Sequence, residues 1–217
     1  MVYYTDGRQE PMLDRAGLQA LAALISDAFM EHDNWKRVLP EPARRKRALY
    51  ALFYFMASVI NRYGHIVVSM DGDRRIGYTT FMENSDREQV SFPRVLRCGA
   101  LAQALAFLLA MKPQELASMR AFSSSIDQYY GEAGHDPRGL HLYTTAVEPA
   151  LKGRGIMKRS FAYAEERFKA AGFSSYMLET TDPANLPVYE RFGLSLMAQK
   201  TMPGTERSVW FFSKTLP

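Results

Sequence analysis

Four features of this chain can carry reactive chemistry. The turn Lys152-Gly153-Arg154-Gly155-Ile156-Met157 stands between a segment rich in β formers and an amphipathic segment. Its glycines let backbone N–H groups approach an anion, and the unpaired N–H groups and positive dipole end of a following helix suit phosphate or pyrophosphate. His141 opens the preceding β segment, and an imidazole accepts protons near neutral pH without extreme tuning. Tyr143, two residues on, shares its strand face. Glu179 ends the apolar run Met177-Leu178-Glu179, where a carboxylate reads as a buried base or as an anchor for a substrate ammonium. The alternative is a strand-end residue facing water. Tyr189 supplies a phenol that is protonated at neutral pH and able to donate, or else a core aromatic on a short helix.

The glycine turn has competing explanations. Gly153 and Gly155 can simply reverse the chain. A Walker loop requires Gly-Lys-Ser or Gly-Lys-Thr after four spacers, which is missing, and a dinucleotide fingerprint requires a third glycine where Lys158 stands. Cys98 is the only cysteine, so an intrachain disulfide and a multi-thiolate zinc site are both excluded. No metal is called for.

The elements that must hold these residues follow from periodicity. A first strand is predicted near Val2 to Tyr4, then a helix capped by Asp14, with Leu18, Leu21, Ile25 and Ala28 at helical spacing, ending near Met30. A second helix follows Pro42, with Leu49, Phe53, Met56 and Ile60 on one face, and stops before Gly64. The cluster Arg44, Arg45, Lys46 and Arg47 at its start reads as a solvated face. Ile66–Met70 and Arg75–Met82, joined by Asp71-Gly72-Asp73, predict an antiparallel hairpin. Glu83 to Pro93 reads as loop, followed by helices over Val95–Met111 and Pro113–Tyr130. After these come a strand over His141–Val147, a helix over Gly155–Ala171, a strand over Tyr176–Thr181 and a short helix over Leu186–Phe192. Two last strands, Leu194–Met202 and Ser208–Ser213, flank a Pro203-Gly204-Thr205-Glu206 turn. In the Gly155–Ala171 helix, Met157, Phe161, Ala164, Phe168 and Ala171 form one stripe opposite Lys158, Glu165, Glu166 and Lys169.

The tract from Val147 through Ile156 resembles the cofactor-binding motif of the GNAT acyltransferase superfamily: Gln or Arg, two residues, Gly, one residue, then Gly or Ala. Lys152 and Gly155 match its first and fourth positions, while Lys152 replaces the usual Gln or Arg and Met157 the usual small residue. The segment Leu178-Glu179-Thr180-Thr181-Asp182-Pro183-Ala184-Asn185-Leu186-Pro187-Val188-Tyr189-Glu190-Arg191-Phe192-Gly193-Leu194 is similar to the strand-to-helix region of the same superfamily, nearest its puromycin N-acetyltransferase-like branch. The resemblance implies an α/β (α+β) fold in a single domain over 1–217: a central mixed, mostly antiparallel twisted sheet flanked by helices. It also implies a helical insertion at about 94–134 and a cofactor-binding half at about 141–217.

For function, the resemblance implies an acetyl-CoA-dependent N-acetyltransferase acting on a primary amine of a small molecule by direct transfer. Val147, Lys152, Gly153, Arg154, Gly155, Ile156 and Met157 would hold the cofactor, with a backbone N–H near Val147 polarising the thioester carbonyl. Asn185 would contact the pantetheine arm or cap a helix. Tyr189 takes the position that protonates the departing thiolate. His141 matches the strand position occupied by histidine in arylalkylamine acetyltransferases and glutamate in histone-modifying members, with Glu179 its rival as base and Tyr143 on the substrate side. Two other readings stay open: a non-catalytic acetyl-CoA-binding module, or an enzyme acting on a protein or peptide amine.

Composition narrows the surroundings. The chain has 217 residues, 47% of them hydrophobic, and a net charge of +4. That apolar content suffices for a core, and so mild a charge excess, gathered in no stripe, points away from nucleic acid. The longest apolar stretch, Gly99 to Met111, falls short of the ~20 residues of a membrane span, and the N-terminus lacks the pattern of a secretion signal. A cytoplasmic monomer or homodimer is expected.

Overall fold

Asp14 caps the first helix as its position predicts: Gly17 N donates to its Oδ1 at 2.7 Å, and α1 runs Arg15–Phe29. The computed structural model of the chain describes residues 1–6, 13–84, 92–132, 136, 138–202 and 207–216. The next helices are α2 (Asp33–Val38), α3 (Pro42–Tyr63), α4 (Phe92–Arg97), α5 (Leu101–Ala110) and α6 (Pro113–Glu132). Two more, α7 (Ile156–Ala170) and α8 (Leu186–Arg191), lie in the C-terminal half.

Among the described residues, seven strands form one sheet: β1 (Val2–Asp6), β2 (His65–Asp71), β3 (Arg74–Glu83), β4 (Leu140–Val147), β5 (Ser175–Thr180), β6 (Ser195–Thr201) and β7 (Ser208–Thr215), in the order β1-β2-β3-β4-β5-β7-β6. Every neighbouring pair is antiparallel except β4 and β5. That parallel pair is short. It matches only Leu140 with Tyr176 and His141 with Met177, although β4 continues to Val147 and β5 to Thr180. Beyond His141 the two strands separate and leave an opening in the middle of the sheet.

A bulge accompanies the opening. Phe81 pairs with Leu142 and Thr80 with Thr144, so Tyr143 is an extra residue on β4. An inserted residue bends a strand and resets which face its side chains take. Accordingly Leu142 joins the core beneath α7, whereas Tyr143 and Ala146 pack with the core beneath α1 and α3.

Helices cover both faces. On one, Phe161, Ala164 and Phe168 of α7 pack on Leu140, Leu142, Tyr176, Leu178 and Phe212. Phe168 is fully buried, and truncating such a ring to alanine costs about 3–5 kcal/mol. On the other face α1 and α3 cover the β1–β4 half, and α6 covers the remainder through Ile126 and Tyr130 against Val209 and Phe211. The two ends of the predicted α7 stripe differ from expectation: Met157 is half-buried and Ala171 exposed.

Other departures have local causes. The predicted Val95–Met111 helix is two, because Gly99 adopts φ +65° and breaks it. The helix α2 escapes periodicity altogether, being six residues long with no buried side chain. Nor is the arginine cluster a purely solvated face. Arg45 is buried and donates through Nη1 to Leu39 O at 2.7 Å, while Arg44 forms an ion pair with Glu115. The Pro203–Glu206 turn lies outside the described residues, as does most of the Glu83–Pro93 loop. Among the described residues no helix is long and apolar enough to cross a membrane.

Candidate active site

The glycine turn sits at the N-terminus of α7, with a short 3-10 turn, Pro149–Leu151, before it. Gly153 and Gly155 adopt φ +81° and +70°, and Gly155 is the N-cap. Only glycine takes this left-handed region cheaply. Space is not the constraint: a Cβ at Gly153 would meet nothing within 4 Å, and at Gly155 only Arg159 Nη1 at 3.9 Å. Among the described residues no side chain caps the helix, and its first turn holds no acidic residue. Lys152, Arg154, Lys158 and Arg159 are exposed around it. Free N–H groups, the dipole and these cations all favour an anion. Ile156 is buried, so it offers only its backbone, and the half-buried Met157 packs against the core beneath α7.

Gly77 of β3 lets this turn lie close to the sheet. A Cβ there would stand 3.2 Å from Ala146 O, 3.4 Å from Val147 Cγ2 and 3.5 Å from Ile156 Cγ2. Glu148 N donates to Ile76 O at 2.9 Å. Because antiparallel pairing alternates, the backbone groups of the preceding Val147, opposite Gly77, turn away from β3. They face the opening toward β5.

His141 and Glu179 meet on the opposite face of the sheet from α7. His141 Nε2 lies 2.7 Å from Glu179 Oε2, and Tyr130 of α6 donates its hydroxyl to the same oxygen at 2.6 Å. The Tyr130 hydroxyl is also 3.5 Å from His141 Nε2. The imidazole is almost wholly buried, with a side-chain exposure of 3%, while Glu179 keeps 23%. Tyr143 packs nearby with its ring tilted at 54° to that of His141, the centroids 4.5 Å apart. Three predicted residues thus converge. Tyr130 joins them from the insertion and is not among the predicted site residues: the spacing of Ile126 and Tyr130 marks a buried helix face but not the strand it meets.

Tyr189 on α8 is buried and contacts the Phe212 ring at 5.6 Å between centroids. Burial pushes its phenol up to about 12, with the negative charges of Glu179 and Asp182 adding to the shift. Tyr189 packs with the core beneath α7, and from there its phenol feels the Glu179 charge. Its hydroxyl makes no hydrogen bond among the described residues. Asn185 stands at the N-cap of α8, but its side chain makes no capping hydrogen bond to it. Its Nδ2 donates instead to Thr180 Oγ1 at 3.1 Å, and Asp182 caps the turn before it by accepting from Ala184 N at 3.0 Å. From the far side, Asn34 of α2 donates to Thr181 Oγ1 at 2.6 Å, closing α2 over the end of β5.

A sequence model of the acetyltransferase (GNAT) family matches residues 26–194. The chain belongs to this family. The match begins well before His141 and takes in most of the helical N-terminal half. An acetyltransferase of Agrobacterium fabrum is 29% identical over 85 residues, which is 39% of this chain. The GNAT-family chain spans 62% of that relative's length. Among solved structures, the polyamine N-acetyltransferase of Drosophila melanogaster, which catalyses formation of N-acetylagmatine, superposes with a TM-score of 0.56 at 13% identity, covering 100% of both chains. The yncA protein of Salmonella typhimurium, solved with its cofactor acetyl-CoA, gives 0.52 at 12% identity, covering 100% of this chain and 94% of its own. At such identities the likeness is one of fold.

GNAT-fold acetyltransferases use acetyl-CoA, and the residues of this GNAT chain fit it. The left-handed glycines, uncapped helix start and surrounding cations suit its pyrophosphate. The unpaired edge of β4 beyond His141 offers hydrogen bonds to an extended amide-bearing arm.

Proposed function

We propose that this chain is an acetyl-CoA-dependent N-acetyltransferase that acts by direct transfer on a primary amine of a small molecule. The observation carrying this reading is the His141–Glu179 hydrogen bond at the point where the pairing of β4 and β5 ends, with the buried phenol of Tyr189 on α8 as the proton donor. Gly153, Gly155, Ile156 and Met157 offer backbone donors to the pyrophosphate, while Arg154, whose N–H already donates to Leu151 O, and Lys152 contribute charge. Val147 offers its N–H to the thioester carbonyl, and Asn185 orients the end of β5 beside the arm.

When bound, acetyl-CoA supplies an acetyl group activated as a thioester, whose C–S bond breaks as the N–C bond forms. An ammonium acceptor loses two protons on the way to an amide. One passes to the His141–Glu179 pair and on to solvent. The other replaces the proton that Tyr189 gives to the departing sulfur. Tyr189 holds its proton throughout the neutral range because burial opposes the phenolate.

A small acceptor is favoured because the substrate side is roofed: α2 closes over β5 through Asn34, and α6 covers the flank through Tyr130. The Drosophila neighbour, which makes N-acetylagmatine, supports the same class. The test is a thiol-release assay with acetyl-CoA across polyamines, arylalkylamines and puromycin, repeated with Tyr189→Phe. Turnover by wild type and a loss of about 10²-fold or more in the variant are expected. Acetyl-CoA binding without turnover on any amine would mean a binding module, and turnover only on peptides would move the acceptor class.

A further inference from the structure

We propose that Tyr130, carried by the last helix of the insertion, is a positioning residue of this reaction: it fixes Glu179 so that His141 Nδ1 is the atom that takes the acceptor's proton. This rests on the transferase reading. A carboxylate has no proton to give, so both groups on Glu179 Oε2 must donate to it. Tyr130 does so through its hydroxyl at 2.6 Å. His141 reaches the same oxygen through Nε2 at 2.7 Å, which puts the single proton of the neutral ring on Nε2.

The lone pair then belongs to Nδ1. That nitrogen is buried and has no hydrogen-bond partner among the described residues. Leaving a buried acceptor unsatisfied costs about 1–3 kcal/mol, a cost that a bound ammonium donating to Nδ1 would remove. An acceptor ammonium that meets Nδ1 loses one N–H bond, the ring gains one, and the imidazolium charge is held against the Glu179 carboxylate. Without the Tyr130 hydroxyl, Oε2 keeps one of these two donors and the carboxylate is less firmly aimed. The ring of Tyr130 packs with Ile126, Val209 and Phe211, so phenylalanine preserves those contacts. Among the described residues, the polar and titratable groups in contact with the imidazole are Tyr130 of α6, Glu179 of β5 and Tyr143 of β4, and Tyr189 of α8 feels the Glu179 charge.

The experiment compares Tyr130→Phe with wild type in the full chain, using an amine that wild type acetylates. A fall in kcat of about tenfold is expected, less than the 10²–10⁴ contributed by a proton-transferring group itself. KM for acetyl-CoA should stay within about twofold, and the acidic limb of the kcat profile should move. Nitrogen-15 spectra of the imidazoles, assigned with His141→Gln, should show the Nε2–H tautomer in wild type and a displaced His141 signal in Tyr130→Phe. An unchanged kcat and pH profile, or an Nδ1–H tautomer in wild type, would overturn the proposal. If the variant does not fold, the wild-type tautomer decides. A wild type with the Nε2–H tautomer but no turnover on any amine would sink the transferase reading, and the catalytic role of Nδ1 with it.

Discussion

Glu179 stands two positions beyond the register partner of His141, yet its Oε2 and the His141 Nε2 are 2.7 Å apart. The strands have begun to part at this point, and the length of the glutamate side chain spans the interval. The contact therefore couples the two strands just beyond the end of their short parallel pairing, beside the gap where the reaction is placed. Two groups acting as one unit give non-additive losses. His141→Ala and Glu179→Gln are each expected to lower kcat/KM by about 10²-fold or more. The double variant should be little worse than either single one. Steady-state kinetics on the four proteins checks this, and fully multiplicative losses would separate the two roles.

Tyr189 gives a pH signature of its own. Its phenol lies at about 12 in the folded chain, chiefly through burial, against an ordinary value of about 10. For an acid whose folded value is raised, the stabilisation is complete below the unfolded value and is lost as pH climbs toward the folded one. The window is therefore about pH 10 to 12. A two-unit shift corresponds to roughly 2–3 kcal/mol lost across it. Buried Tyr78 and Tyr176 are raised as well, so Tyr189→Phe should flatten only part of the decline. Urea unfolding from pH 8 to 11 measures the difference in slope, and identical slopes would contradict the burial of this hydroxyl.

Gly155 separates backbone conformation from packing. It sits at φ +70°, and an added Cβ would meet nothing nearer than 3.9 Å, so Gly155→Ala should cost about 1–2 kcal/mol from backbone strain alone. The added methyl and the shifted turn should also disturb the N–H groups at the start of α7. KM for acetyl-CoA is expected to rise about tenfold while KM for the amine holds, the pattern of lost cofactor binding. Thermal unfolding together with isothermal titration of CoA reads both effects. Unaltered CoA affinity would remove this turn from the cofactor site.

These elements differ in how plainly the chain announces them. Leu18, Leu21 and Ile25 of α1, and Leu49, Phe53 and Ile60 of α3, recur at the helical period, so both helices follow from local pattern alone. The β2–β3 hairpin and the strand, turn and helix around Gly155 are likewise short-range features. What is hidden depends on distant partners. Arg45 is drawn inward by the carbonyls of Leu39 and Pro40, though its neighbours read as a solvated face. The bulge at Tyr143 arises only when β4 pairs with β3. Tyr130 reaches Glu179 across 49 positions, which no window along the chain can reveal. His141 and Glu179 are each legible as single residues, and their union is not.

Cys98 tests the direct route. It follows α4 at the break before α5 and is half-buried. Burial pushes its thiol up, an effect that nearby Arg62 and Arg94 oppose but do not reverse. The thiolate, the form that attacks an acyl group, is thus scarcer at neutral pH than in an ordinary cysteine. It packs against the core beneath α1 and α3, away from the α8 residues that carry Tyr189. Cys98→Ser is expected to keep kcat/KM within about twofold, since loss of a true nucleophile would cost orders of magnitude. Initial velocities over a grid of acetyl-CoA and amine concentrations should give intersecting lines, as a ternary complex requires. Parallel lines together with an inactive Cys98→Ser would establish an acyl-enzyme route and displace direct transfer.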